Sequence, residues 1–166
     1  SSKPESVNQA YHAVSSGYLI STLIERATGK SINEQLDTHF RQPLGMKYFT
    51  YGIEEKYQAI TADNACSGMK TMFPVKSLVE DILGGDLNEL VELSNTSGYK
   101  NATIPAANMY ATAEECSRFY QMILNGGHYN GHQVMDPKTI DRAIQGPCLP
   151  RWDSSFKIPA RFSSGL

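Results

Sequence analysis

The sequence predicts a mainly α chain with minor β, an α+β fold. Three observations lead there. Apolar residues recur at helical spacing in six stretches, most of them opened by a capping pattern or closed by glycine. Ahead of the tail, only Tyr48 to Tyr51 is aromatic and β-branched enough for a short strand. Stretches rich in Ser, Asn, Thr and Gly separate the periodic ones and read as loops.

Taken in order, residues 1 to 10 read as an extended lead-in, and a first helix is expected from about Ser16 to Thr28. Leu19, Ile20, Leu23, Ile24 and Ala27 make its apolar stripe, and Gly29 is its stop. Ser31-Ile32-Asn33-Glu34 is a capping box, and Leu36 with Phe40 gives the next short helix an apolar face. Pro43-Leu44-Gly45 is expected to break it. After the strand, residues 53 to 76 lack periodicity and read as a meandering loop. Leu78, Val79, Ile82 and Leu83 predict a short helix stopped by Gly84-Gly85, and Asp86 caps a further turn with Leu87, Leu90 and Val91 inside. Residues 94 to 103 read as loop. Thr112-Ala113-Glu114-Glu115 is a second capping box, followed by Cys116, Phe119, Tyr120, Ile123 and Leu124 on one stripe and by Gly126-Gly127 as the stop. Asn130-Gly131 marks a tight turn. Asp136-Pro137 opens a last helix with Ile140, Ala143 and Ile144 behind it, closed by Gly146-Pro147. The tail, with Trp152, Phe156, Pro159 and Phe162, reads as loop leading into a strand at Arg161 to Leu166.

Composition excludes several function classes. With 166 residues there is enough chain for one domain with a real core. A net charge of −2 and scattered Lys and Arg give no reason to expect nucleic acid or an anionic membrane as partner. No apolar run reaches the roughly 18 residues a bilayer span needs. No signal peptide opens the chain at Ser1-Ser2-Lys3, and the missing initiator Met reads as an excerpted or processed segment. Cys66, Cys116 and Cys148 are odd in number and lack metal-like spacing, so they read as buried or incidental thiols in a reducing, cytoplasmic setting. His128 and His132 flank a turn and do not share a helical face, so no metal site is expected. Asn95-Thr96-Ser97 and Asn101-Ala102-Thr103 match the glycosylation pattern, which matters only in a secreted eukaryotic protein. The carboxylate pairs Glu54-Glu55, Glu80-Asp81 and Glu114-Glu115 are placed at helix starts or solvated faces, and no glycine-rich phosphate loop is present.

The stretch Tyr11-His12-Ala13-Val14-Ser15-Ser16-Gly17-Tyr18-Leu19 sets a phenol just ahead of an amphipathic helix, with small residues around the turn. A hydroxyl so placed is held rigidly at a cleft edge, as a general acid or base must be. By residue type alone, one tyrosine among nine is more simply a half-buried helix anchor.

Its context changes that reading. Tyr11 through Arg41, continuing into Gln42-Pro43-Leu44-Gly45-Met46, resembles the middle of a serine β-lactamase-like hydrolase. That group includes class C β-lactamases, penicillin-binding D-peptidases and related esterases and transesterases, and its motifs run Ser-x-x-Lys, Tyr-x-Asn, then a Lys- or His-containing Gly strand. Tyr11-His12-Ala13 stands where Tyr-x-Asn belongs, in a form that resembles the esterase-like branch. A second block, Ile104 to Glu114 and then Phe119 to Gly127, is similar to the segment that begins the helix returning toward the sheet. The resemblance implies that residues 1–166 are a single partial domain, the helical lobe of that fold, incomplete without its sheet. It implies that Tyr11 is catalytic, a proton shuttle between a serine and a leaving group, its pKa lowered by a nearby lysine. His12 is a candidate substrate contact. Ala13 cannot supply the family asparagine's amide, which suits an ester better than an amide. No cofactor is implied, and the partner is a small-molecule ester or amide.

Two motifs are missing from the expected order. Ser67-Gly68-Met69-Lys70 spells Ser-x-x-Lys, yet with 16 serines and nine lysines about one such match arises by chance. It also follows the tyrosine, lies outside any periodic stretch and has a glycine inside it. The nucleophile is therefore expected upstream of Ser1, and the isolated segment is expected to be inactive. Lys-Thr-Gly, Lys-Ser-Gly and His-x-Gly do not occur. The competing expectation is a non-catalytic helical binding module acting through aromatics such as Trp152 and Phe156. Unpaired sheet edges and an exposed helix face would favour self-association.

Overall fold

A computed structural model describes residues 10–68, 72–144 and 150–162. Nine short α-helices, one π-helical turn and three two-stranded antiparallel ladders make up the described residues. The expected mainly α fold with minor β is what the chain adopts.

Helix α1 spans Ser15–Thr28 and ends where Gly29, at φ 70°, turns left-handed and returns its N–H to the Glu25 carbonyl. Its apolar stripe is not covered: Leu19 is 67% and Leu23 66% exposed, and no residue of the helix is buried. Helical spacing shows that a face exists, not what lies against it. Helix α2, Ile32–Leu36, is opened by the Ser31/Glu34 capping box with both reciprocal bonds made. Pro43 does not end the helical run as expected. The chain widens into a π-helical turn over Asp37–Arg41, in which the Gln42 N–H reaches the Asp37 carbonyl, and continues as α3, Gln42–Leu44. Proline has no N–H to give and its ring crowds the carbonyl one turn back; a wider turn just before it avoids both problems. The stop comes at Gly45 (φ 62°), where Gly45 N–H bonds Gln42 and Met46 N–H bonds Arg41.

Leu44, Met46, Phe49, Met122, Ile123 and Ile140 form the buried core, ringed by Leu36, Phe40, Phe119, Tyr129, Val134 and Met135. Strand β1, Thr50–Tyr51, pairs antiparallel with β2, Met109–Tyr110. Between them lie α4 (Glu55–Gln58), α5 (Val75–Leu83), α6 (Leu87–Ser94) and α7 (Ser97–Asn101). Helices α5 and α6 match the expected positions, with Gly84 left-handed and Asp86 accepting from Asn88 N–H. Two expected loops contain helices instead. Helix α4 lies within 53–76, and α7 lies within 94–103 because the Thr96 hydroxyl caps Tyr99 N–H.

Helix α8, Ala113–Leu124, begins at the Thr112/Glu115 capping box. Its buried face is turned from the expected stripe: Glu115, Met122 and Ile123 are buried, while Cys116 and Tyr120 are exposed and Leu124 is 80% exposed. The shared cause is Glu115. Its carboxylate points inward and accepts backbone N–H groups from Lys47 (2.5 Å), Tyr48 (2.8 Å) and Thr112 (2.8 Å), fixing the helix's rotation. Burial works against its charged form, but these hydrogen bonds outweigh it and the carboxyl is held below its ordinary range. Glu114-Glu115 is thus not a wholly solvated pair, and Cys66 and Cys116 are exposed thiols rather than buried ones.

Strands β3 (His128–Tyr129) and β4 (His132–Gln133) form the hairpin expected of Asn130-Gly131, both residues having positive φ. Helix α9, Pro137–Ile144, starts at Asp136, whose carboxylate caps Lys138 and Thr139. The tail is a hairpin of β5 (Arg151–Asp153) and β6 (Ile158–Ala160), earlier than the expected strand at 161–166; Arg161 and Phe162 are not in a strand. The lead-in before Ala10, Met69, Lys70, Gly146-Pro147, Cys148 and positions 163–166 lie outside the described residues.

Candidate functional site

Tyr11 sits four residues before α1, and the tail hairpin holds it from the other end of the chain. Its ring stacks on Phe162 (centroids 5.8 Å apart, planes 15° apart) and leans on Phe156 (5.2 Å, 35°). The Ser155 hydroxyl donates to the Tyr11 carbonyl at 2.9 Å across 144 residues of sequence. Asp153 sets that hairpin turn. Fully buried, it accepts Ser155 N–H (2.9 Å) and Phe156 N–H (2.8 Å) on Oδ1, leaving Oδ2 with no partner among the described residues. Tyr11 itself is 43% exposed, and its hydroxyl makes no hydrogen bond among the described residues. Ring and backbone are gripped while the phenolic oxygen has no partner among the described residues. Asp153-Ser154-Ser155, between Trp152 and Ile158, is the sequence signal for this turn.

His12 is exposed, and its carbonyl accepts the Ser16 hydroxyl at 2.8 Å. No side-chain hydrogen bond ties the imidazole down among the described residues. Behind Tyr11, the first turn of α1 is pressed against the loop Ile104–Asn108. A Cβ on Gly17 would lie 2.7 Å from both Ala106 Cβ and Ala106 N. The Tyr11 block and the Ile104 block, far apart in sequence, therefore meet at Gly17 and Ala106. Asn108 shapes this loop from inside: buried, it accepts Ile104 N–H (2.9 Å) and donates to the carbonyls of Tyr99 (2.9 Å) and Ala102 (2.6 Å).

On that loop's other flank lies a cavity of about 440 Å³, lined by Tyr48, Tyr99, Lys100, Asn108, Met109 and Tyr110 among others, but not by Tyr11. Lys100 is 7% exposed and its ammonium meets Asp63 at 2.5 Å. Burial raises the pKa of Tyr99, with Tyr18 adding to it; burial also raises that of Tyr110, with Lys100 opposing. Both phenols are thus protonated at neutral pH. Tyr99 and Lys100 carried no signal as site residues in sequence, because 94–103 reads as loop, and Asn108 to Tyr110 stood out only as part of the Ile104 block.

Among the described residues, no serine and lysine are joined as a nucleophile and base would be. Met69 and Lys70 of the Ser67 motif lie outside the described residues. Two further Ser-x-x-Lys strings occur, Ser97-Gly98-Tyr99-Lys100 on α7 and Ser154-Ser155-Phe156-Lys157 in the tail. Lys100 is bound to Asp63, and Lys157 lies 3.7 Å from Asp81. Among the described residues, no lysine ammonium bonds a serine hydroxyl. No helix there is long and apolar enough to cross a membrane.

Comparison with known proteins bears on this arrangement. The model of the family described as Beta-lactamase matches residues 2–156. A curated relative from Mycobacterium tuberculosis (strain ATCC 25618 / H37Rv), "Esterase/beta-lactamase LipL", is 23% identical over 167 residues, covering 94% of this chain and 39% of its own length. A penicillin-binding protein homolog from Caulobacter crescentus superimposes with a TM-score of 0.67 at 23% identity, covering 98% of this chain and 42% of that one. EstA from Arthrobacter nitroguajacolicus Rue61a gives a TM-score of 0.70 at 22% identity, over 98% and 44%. The two structures share this fold. The chain spans about two fifths of the length of each of these relatives.

Proposed function

The chain belongs to the Beta-lactamase family, and from that premise we propose that it is the tyrosine-bearing helical part of a serine hydrolase working through an acyl-enzyme. Tyr11 is the proton shuttle. As the phenolate, favoured by a lysine cation brought with the serine, its Oη takes the proton from the serine hydroxyl as that oxygen attacks the substrate carbonyl, then gives it to the departing alkoxide or amine and is phenolate again. Water or an alcohol then releases the acyl group. The observation that carries this reading is a phenol gripped at ring and backbone by Phe156, Phe162 and Ser155 while its hydroxyl has no partner among the described residues. Such fixation keeps a proton-transferring oxygen in register without reorganisation.

The substrate is an ester or amide small molecule, with esters preferred. Ala13 stands where an amide-recognising asparagine is expected, and a site lacking that group does not lose a hydrogen bond to an ester. His12, exposed beside Tyr11, contacts the substrate's distal part. The nucleophile comes from chain outside these residues, supported by the place of Ser67-Gly68-Met69-Lys70 after Tyr11 and by the glycine inside it. The 166 residues alone do not turn over. The bare stripe of α1 supports self-association of the isolated segment.

The test assays the segment, and separately a longer polypeptide carrying a Ser-x-x-Lys motif ahead of Tyr11, with a chromogenic short-chain ester and a chromogenic cephalosporin. In the longer protein Tyr11→Phe should lower kcat by roughly 10²–10⁴ with little change in KM. Unchanged kcat in that variant sinks the shuttle. Saturable turnover by the segment, lost on Ser67→Ala, sinks the assignment of the nucleophile elsewhere.

A further inference from the structure

The cavity beside Asn108 is not lined by Tyr11. Its volume of about 440 Å³ falls within the roughly 300–1,000 Å³ typical of small-molecule sites. Aromatic and apolar side chains, Tyr99, Tyr110 and Met109, form much of its wall. A single cation, Lys100, is set into that wall.

How Lys100 is paired is informative. Its side chain is 9% exposed, so its ammonium has given up most of its water. Its one bonded partner among the described residues is Asp63, whose side chain is 69% exposed and sits on the irregular stretch between α4 and α5. An ammonium has three donors, and one is used here. Asp63, being mostly hydrated, regains water when it leaves, and an incoming carboxylate keeps the buried ammonium paired. A carboxylate arriving inside the cavity would meet the same ammonium from the drier side, where the attraction is stronger. Tyr99 and Tyr110 line the same space and bring no charge to it.

We propose that this cavity is a binding site for a small monocarboxylate with a compact apolar body, whose carboxylate takes Asp63's place on Lys100 while its apolar part lies against Tyr99, Met109 and Tyr110. One cation among neutral donors matches a single negative charge better than a phosphate dianion. The site does not depend on the role of Tyr11.

The sign of one substitution separates a ligand site from a structural ion pair. If Asp63 is an internal competitor, Asp63→Asn should tighten carboxylate binding, by about three- to tenfold for the loss of one charge-assisted contact. If the pair only ties the loop to α7, the same change should weaken binding or leave it unaltered. Titration calorimetry of the chain with hexanoate, 4-phenylbutyrate and indole-3-propionate provides the measurement, with 4-phenylbutan-1-ol and inorganic phosphate as controls. Saturable binding of at least one acid is expected, with the alcohol at least about tenfold weaker. Lys100→Met should lose about tenfold or more, and amide shifts on binding should centre on Tyr99, Met109 and Tyr110. The proposal is overturned if none of the three acids binds, if alcohol or phosphate binds as well as the acids, if Lys100→Met binds like the native chain, or if Asp63→Asn fails to tighten binding.

Discussion

Gly17→Ala sets local propensity against tertiary contact, and the two give opposite signs. Glycine within a helix costs about 0.5–1 kcal/mol relative to alanine, so propensity alone makes the variant more stable. The tertiary contact argues otherwise. The added Cβ would sit 2.7 Å from Ala106 Cβ, 2.7 Å from Ala106 N and 3.0 Å from Pro105 C. Ordinary carbon contacts need about 3.5–4.0 Å, so helix and loop must separate by close to an ångström. The loop cannot easily yield, since Asn108 ties it through three side-chain bonds and its own carbonyl accepts Gly52 N–H at 3.2 Å. Overpacking of this kind costs about 1–3 kcal/mol. Set against the propensity gain, the variant should be net destabilised by roughly 1–2 kcal/mol. Urea unfolding followed by far-ultraviolet circular dichroism should show a lower midpoint at unchanged slope. Ala106→Gly in the same background should recover part of the loss, because the Cβ contact goes while the backbone contact stays. A midpoint equal to or above the native one refutes the claim that α1 is seated on this loop.

Two further substitutions test buried polar groups. Glu115→Gln removes the charge that three backbone N–H groups share, and should cost about 1.5–3 kcal/mol at pH 7. Because the folded carboxyl is held below its ordinary range, its contribution is complete above the unfolded pKa of about 4.3 and is lost as pH falls through the folded value. Native and variant unfolding midpoints should therefore converge in that acid window, and a gap constant down to the lowest pH would refute the account. Asn108→Ala strands two carbonyls and one N–H near the cavity. A loss of about 2–4 kcal/mol is expected from thermal unfolding, together with faster amide exchange at Ile104.

The comparison of sequence and structure divides by distance along the chain. Capping at Ser31, Asp86, Thr112 and Asp136, and the turn at Asn130-Gly131, were legible because donor and acceptor lie within four residues and their geometry is set by local dihedrals. The Thr96 cap of α7 is equally local, but a run of Ser, Asn, Thr and Gly is ambiguous between a capped turn and a loop.

Sequence by itself determined the mainly helical class, the family resemblance carried by Tyr11 and by the Ile104 block, and the starts of α1, α2, α6, α8 and α9. Tertiary structure alone decided that Glu115 turns inward toward N–H groups 67 and 68 residues away, rotating α8 with it. It alone brought the tail's Ser155, Phe156 and Phe162 onto Tyr11, seated Gly17 on Ala106, and set Lys100 into a cavity wall. The division is physical. A cap needs only its own turn of backbone, whereas which of two amphipathic surfaces meet, and which polar atom they trap, depends on every other element competing for the same core.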